Sequence, residues 1–129
     1  MMANDRTVTR KEIAIKFLEL VVAGQFDEAY RKYVDIQGKH HNPFFAAGFP
    51  ALKQAMMENH AQFPDKKLIV RNVLGDGDLV AVHSHLVLQP GTAEMITVHL
   101  FRFQGNAIVE FWDCGQSLPR DSPNVDGAF

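Results

Sequence analysis

Cysteine is nearly absent from this chain: Cys114 stands alone among 129 residues. An internal disulfide is therefore excluded, and stability has to come from a packed core. Long apolar runs are missing too. The stretch Leu79 to Val82 falls far short of the roughly 20 residues a spanning helix needs, so no membrane partner is expected. The start, Met1-Met2-Ala3-Asn4-Asp5-Arg6, lacks the apolar centre of a secretory leader, which points to a cytoplasmic protein. There is no excess of positive charge. A net charge of -2 and a pI near 6.3 offer no basic patch to neutralise phosphates, which argues against nucleic acid as a partner. Repeats, low-complexity tracts and linker-like composition are absent as well, and nothing around Cys114 suggests an activated thiol.

What remains is ordinary globular material. Hydrophobic residues make up 47% and charged residues 22%, enough at this length for one core. The expectation is one domain over residues 1–129, with an irregular tail from about 117 to 129 that contains Pro119, Pro123 and Gly127.

Thr9-Arg10-Lys11-Glu12 has the form of a capping box, so a helix is expected over about 10–23, with Ile13, Phe17, Leu20 and Val21 as its apolar stripe and Gly24 ending it. Phe26, Tyr30, Tyr33 and Val34 predict a second helix near 27–34. Pro50, followed by Leu52, Ala55, Met56 and Phe63, predicts a third near 50–62, closed by Pro64. Beyond Pro64 the pattern changes to β-branched and aromatic residues in four runs, Leu68 to Leu74, Leu79 to Leu88, Ala93 to Phe103 and Ala107 to Asp113. Short turn-forming breaks at Gly75 to Asp78, Gln89 to Thr92 and Gln104 to Asn106 make them an antiparallel meander. Helices first and a meander afterwards predict an α+β fold with the helices on one face of the sheet.

Six histidines are the most informative chemistry, because imidazole titrates near neutrality and binds metals readily. His83 and His85 are two apart on a strand and share a face, with Val80, Val82, Leu86 and Leu88 behind them. A turn centred near Pro90-Gly91 sets His83 opposite His99, giving a three-histidine patch that a one-residue slip would destroy. His40 and His41 lie in the loop between helices, and His60 lies late in the third helix. Glu110 can pair with Arg102 across the last hairpin while Asp113 points elsewhere. The Lys66-Lys67 pair is expected to be a solvated strand entry. Each histidine has a plain alternative as a hydrogen-bonded packing residue. A metal site on His83, His85 and His99 is a further alternative, although no spaced carboxylate completes a known signature.

The ordered set His41-Asn42-Pro43, Gly75-Asp76-Gly77-Asp78-Leu79-Val80-Ala81-Val82-His83-Ser84-His85, Phe101-Arg102-Phe103 and Ile108-Val109-Glu110-Phe111-Trp112-Asp113 resembles the SnoaL-like polyketide cyclases of the nuclear transport factor 2-like superfamily. The resemblance is strongest to a subset described as predicted aldol-condensation-catalysing or ester-cyclase-like proteins, and it spans nearly the whole chain. It implies a cone-shaped α+β barrel, N-terminal helices packed on a curved antiparallel sheet, around an apolar cavity, with homodimerisation through the outer sheet face. It also implies that His83, His85 and His99 face the cavity, that His41 lies near its mouth, and that Asp113 comes from the closing strand. Phe17, Tyr30, Phe44, Phe63, Phe101 and Phe111 are the candidate apolar walls. The chain departs from that subset in carrying His99 where an aspartate is common, and Glu110-Phe111-Trp112-Asp113 where Glu-His-Trp-Asp is common.

Two functions follow as expectations. One is a cofactor-independent enzyme acting on a small apolar carbonyl compound by aldol cyclisation, isomerisation or dehydration. There His99 or Asp113 would be the base, with His83 and His85 polarising the oxygen. The other is a non-catalytic module that holds an apolar ligand or stabilises a dimer. The sequence leaves open whether the protein is an enzyme.

Overall fold

Thr9 caps the first helix by accepting a hydrogen bond from the Glu12 amide at 3.2 Å, while its hydroxyl lies 3.2 Å from the Glu12 carboxylate, so helix α1 runs over Arg10–Val22. The computed structural model describes residues 8–129; the leader-peptide reading of Met1 to Arg6 falls outside them. Gly24, at a φ of 80°, turns the chain into α2, Phe26–Tyr33. Helix α3, Phe49–Gln62, begins with Pro50 in its first turn. The remaining elements are strands: β1 Val34–His40, β2 Lys67–Asp76, β3 Leu79–Gln89, β4 Ala93–Gln104 and β5 Ala107–Ser117.

The strands form one sheet in the order β1-β5-β4-β3-β2. The β2 to β5 meander is antiparallel, whereas β1 lies parallel to β5. Strand β1 was expected to be loop. Its sequence Val34-Asp35-Ile36-Gln37-Gly38-Lys39-His40 has a central glycine and mostly exposed side chains, and its pairing with β5 spans the length of the meander, so no local pattern marks it.

Each antiparallel ladder contains one surplus residue: Arg71 in β2, Leu88 in β3 and Val109 in β5. Such bulges bend the strand that carries them and increase its twist, and three of them give the curved, unclosed sheet of a cone. The helices fill the concave side. Ile13, Phe17, Leu18, Tyr30, Phe49 and Leu52 pack there against Val80, Val82, Phe101, Phe103, Ile108 and Phe111. Phe17 meets Tyr30 and Phe101 edge-on at 5.5 and 5.9 Å between ring centroids.

The bulge at Leu88 corrects the expected register. At the tip Gln89 does pair with Ala93, as a turn at Pro90-Gly91 requires, but beyond Leu88 the ladder has slipped by one residue, so Val82 faces His99 and His83 faces Val98. His99 therefore lies on the concave face, and His83 and His85 lie on the outer one. The three-histidine patch does not exist, and neither does the metal site built from it. On the outer face Asn72 lies 3.0 Å from His83 Nδ1, and His85 Nε2 pairs with Glu94 at 2.6 Å. The tail returns over both, with the Phe129 ring stacked on His85 at 4.6 Å and the Arg71 guanidinium 5.3 Å from the ring centroid.

Among the described residues no helix is long and apolar enough to cross a membrane.

Strand β1 reaches β5 only because Gly38 has no side chain. A Cβ there would collide with the carbonyl oxygen of Val109, the bulge residue, and stand 2.8 Å from Phe49 Cε2. Gly38→Ala is expected to cost roughly 1–3 kcal/mol through overpacking, read as a lower urea midpoint with an unchanged slope. Gly77→Ala is the reference, since a Cβ there meets nothing within 4 Å and only the φ of 61° is strained.

Candidate active site

The segment between β1 and α3 is organised by a buried histidine. His40 Nδ1 accepts the Asn42 amide at 3.1 Å, so its proton sits on Nε2 and donates to the Ala46 carbonyl at 2.7 Å. The His41 amide donates to the Phe111 carbonyl at 2.9 Å and extends the parallel ladder by one bond. Asn42 is fixed from both ends. Its side-chain oxygen accepts the Phe44 amide at 2.9 Å, and its side-chain nitrogen donates to both oxygens of Asp113 at 3.1 and 3.2 Å. The amide orientation follows from this network, since only Nδ2 can donate to the carboxylate.

Asp113 on β5 pairs across the sheet with His99 on β4, and both face inward. They line a cavity of about 190 Å³ that shares part of its wall with an outer chamber of about 560 Å³. Asn42, Phe45, Asn59 and Leu86 border both spaces along with His99 and Asp113. Apart from Lys66 the rest of the inner wall is apolar, with Leu18, Val21, Leu52, Met56 and Leu68 prominent in it. Phe44 and Phe45 form the lip, and Phe44 is 86% exposed.

His99 is held in an apolar setting, its ring 5.7 Å from Phe111 at 27°, and its Nδ1 is buried without a partner. Burial lowers its pKa from 6.5 to about 4, and the Asp113 carboxylate opposes that drop without cancelling it. Desolvation thus outweighs the neighbouring charge, and the imidazole is neutral at pH 7.

The positions of the other expected site residues differ from the sequence reading. His83 and His85 are on the outer face, as described above. His41 is also on the outer side: it stacks on Trp112 at 5.1 Å and pairs with Glu110 at 2.6 Å, while Arg102 holds the other Glu110 oxygen at 2.9 Å. The hydrogen bond from His41, aided by Arg102, holds the Glu110 carboxyl below the usual range. Parity is the reason, because consecutive residues at a strand end point to opposite faces, and it is Asn42 that turns inward. Phe17, Tyr30, Phe101 and Phe111 are core beneath the cavity, Phe63 is the C-cap of α3 away from the lining, and Phe44 alone of the six aromatics borders the outer chamber. Sequence reasoning missed Asn42, Phe45, Asn59 and Lys66. The Asn42-Pro43 pair carried a turn signal, but nothing local tied its amide to Asp113. Among the described residues no cluster of three or more metal-ligating side chains occurs.

The pH response of His99 follows from its environment. In the unfolded chain its imidazole protonates near pH 6.5, while in the folded protein it stays neutral down to about pH 4. Acid therefore favours the unfolded state inside that window: stability present above pH 6.5 is lost at up to roughly 1.4 kcal/mol per pH unit on the way down. His99→Gln is expected to flatten that part of the stability curve, measured by urea melts at pH 7, 6 and 5.

No protein-family model matches the sequence, and no curated protein matches it either. Solved structures do. A SnoaL-like polyketide cyclase from Agrobacterium tumefaciens is 17% identical with a TM-score of 0.69, the match covering 85% of this chain and 93% of that one. IdmH from Streptomyces antibioticus, a proposed polyketide cyclase, is 19% identical with the same TM-score, over 84% and 92% of the two chains. An NTF2-like protein of unknown function from Cytophaga hutchinsonii reaches 0.69 at 12% identity, over 87% and 94%. At such identities the likeness is one of architecture: this chain has the cone-shaped α+β fold that SnoaL-like polyketide cyclases and NTF2-like proteins share.

Proposed function

We propose that the chain binds a small apolar carbonyl compound in the cone and acts on it by cofactor-independent acid/base chemistry, with Asp113 as the base and neutral His99 as the group that polarises the carbonyl. The observation that carries this reading is the Asp113–His99 pair at the wall of an apolar cavity, its carboxylate fixed in orientation by Asn42. A carboxylate oxygen takes a proton from the carbon next to the carbonyl, and the electron pair moves onto the carbonyl oxygen as an enolate. A neutral imidazole N–H can donate a hydrogen bond to that oxygen. The enolate carbon then attacks a second carbonyl, whose oxygen takes the proton from Asp113, as in cyclisation, or the enolate takes the proton back at another position, as in isomerisation. Neither path needs a redox partner. The polarising role assigned to His83 and His85 from sequence passes to His99, because those two face away from the cavity. The SnoaL-like cyclase and IdmH support the choice of reaction class through their shared architecture alone.

A non-catalytic ligand holder is the second reading: with a pKa of about 4, His99 is a poor base at neutral pH, so catalysis rests on Asp113 alone. Deuterium incorporation next to the carbonyl, followed by NMR over a panel of β-keto and polyketide-like compounds, separates the two readings. Asp113→Asn is expected to slow exchange by roughly 10²- to 10⁴-fold, and His99→Gln by less. Equal rates in wild type and both variants would dispose of the catalytic assignment, while binding without exchange would favour the ligand holder.

The outer sheet face is proposed to join two copies. Ile69 and Leu74 point outward there at 42% and 69% exposure, alongside Val98 and Leu100 of β4. Sedimentation analysis is expected to find a dimer for wild type and a shift towards monomer for Leu74→Glu; a wild-type monomer would reject the interface.

A further inference from the structure

Lys66 does not behave as the solvated strand entry that its sequence suggests. It is half-buried just before β2 and borders the inner cavity beside Leu18, Val21, Val22 and Leu68. Its ammonium donates to the side-chain oxygen of Asn59 at 2.5 Å. Among the described residues that neutral amide is its one polar side-chain partner, and no carboxylate lies within ion-pairing distance of it. Burial shifts its pKa downward, which is the effect of taking a cation out of water without a counter-charge.

Lys66 is also the lone lysine or arginine among the residues that line this cavity, and Asp113 is the lone carboxylate. They stand apart. Lys66 leads into β2 and Asp113 lies on β5, with β3 and β4 between those strands in the sheet. An anionic ligand group is repelled at the Asp113 end and lacks water along the apolar walls, whereas an ammonium with unused donors waits at the Lys66 end. The same polarity would orient a ligand, directing its uncharged carbonyl end towards His99 and Asp113.

We propose that Lys66 is the anion-recognising end of the cavity, so that the ligand is an apolar carbonyl compound bearing a carboxylate at its far end. The inference rests on the small-molecule reading of the same cavity. Lys66 is a binding residue here and takes no part in proton transfer.

The test uses benzoylpropionate and its primary amide, which share an aryl ketone and differ in charge. Binding to the full chain is measured by calorimetry and by methyl chemical shifts of Leu18, Val21 and Leu68. Wild type is expected to bind the carboxylate about tenfold more tightly than the amide or better, a discrimination typical of a charge-assisted hydrogen bond in a partly dry site. Lys66→Met keeps the aliphatic stem and removes the charge. It is expected to bring the two affinities to parity while leaving the amide's unchanged, and Lys66→Arg is expected to keep the preference. Equal affinities in wild type, or a preference that survives Lys66→Met, would overturn the assignment to Lys66 while leaving the small-molecule cavity intact. Absence of binding by both probes in wild type would overturn the cavity reading and this inference together. The wild-type comparison decides the question even if a variant folds poorly.

Discussion

Leu88 is one residue more than the β3–β4 ladder needs, and that surplus decides which groups meet inside the cone. Without the bulge, the pairing of Gln89 with Ala93 would propagate, and Val82 would face Leu100 instead of His99. The concave face would then receive Val98, Leu100 and Arg102, while Phe101 and Phe103 turned to the outside. Each phenylalanine contributes on the order of 2–3 kcal/mol when buried, and a guanidinium forced among Phe17, Val80 and Val82 would cost several more. The bulged register is therefore favoured by a wide margin over the regular one. His99 is carried inward as a consequence of where its neighbours Phe101 and Phe103 must go.

The same economy places the carboxylate. Val109 bulges from β5, and Gly38 lets β1 press against that bulge, so the parallel strand ends level with Phe111. From there two buried hydrogen bonds of His40 shape the following loop, and Asn42 arrives with its amide over Asp113. A catalytic or binding carboxylate must be held in a fixed rotamer to be of use, and here the restraint comes from a loop anchored by backbone pairing at His41 and by the His40 side chain at Ala46. The site is thus assembled from three segments distant in sequence, all brought together by the curvature of one sheet.

Much of this architecture was legible in the sequence. The three helices and the four strands of the meander were marked by the capping box at Thr9, by Pro50 and Pro64, and by the change of period after Pro64. The parity within β3 and within β4 was legible too, because Val80 and Val82 alternate with His83, and Phe101 and Phe103 share a face with His99. Their relation across the hairpin was not. A turn at Pro90-Gly91 fixes the tip, but a bulge at Leu88 leaves no mark in a run of apolar residues. The pattern Phe-Arg-Phe held the missing information: its aromatic parity has to match that of Val80 and Val82, and only the slipped register does so. Strand β1 was hidden for a different reason, since an edge strand with a central glycine and a parallel partner far along the chain has no local signature. Lys66 was misjudged because charge on a lysine says nothing of its burial.

Six histidines on one small chain invite a single explanation, and their environments give several. His40 is locked into one tautomer by two backbone partners, so it serves the loop. His41 and His85 each lie beside a carboxylate, Glu110 and Glu94, on the outer face where water reaches both partners. His60 packs edge-on against Phe26 at 5.7 Å. His83 lies beside Asn72 and beneath the returning tail. His99 alone combines an apolar surround, a cavity and a carboxylate across the sheet. Ion pairs that water reaches contribute little to stability. His99 differs: desolvated, it resists charging, so at neutral pH it offers the hydrogen bond of a neutral N–H. That separation of roles, a carboxylate to take the proton and a neutral ring to steady the oxygen, requires the two groups to share one dry space, and the slipped register of β3 and β4 is what brings them there.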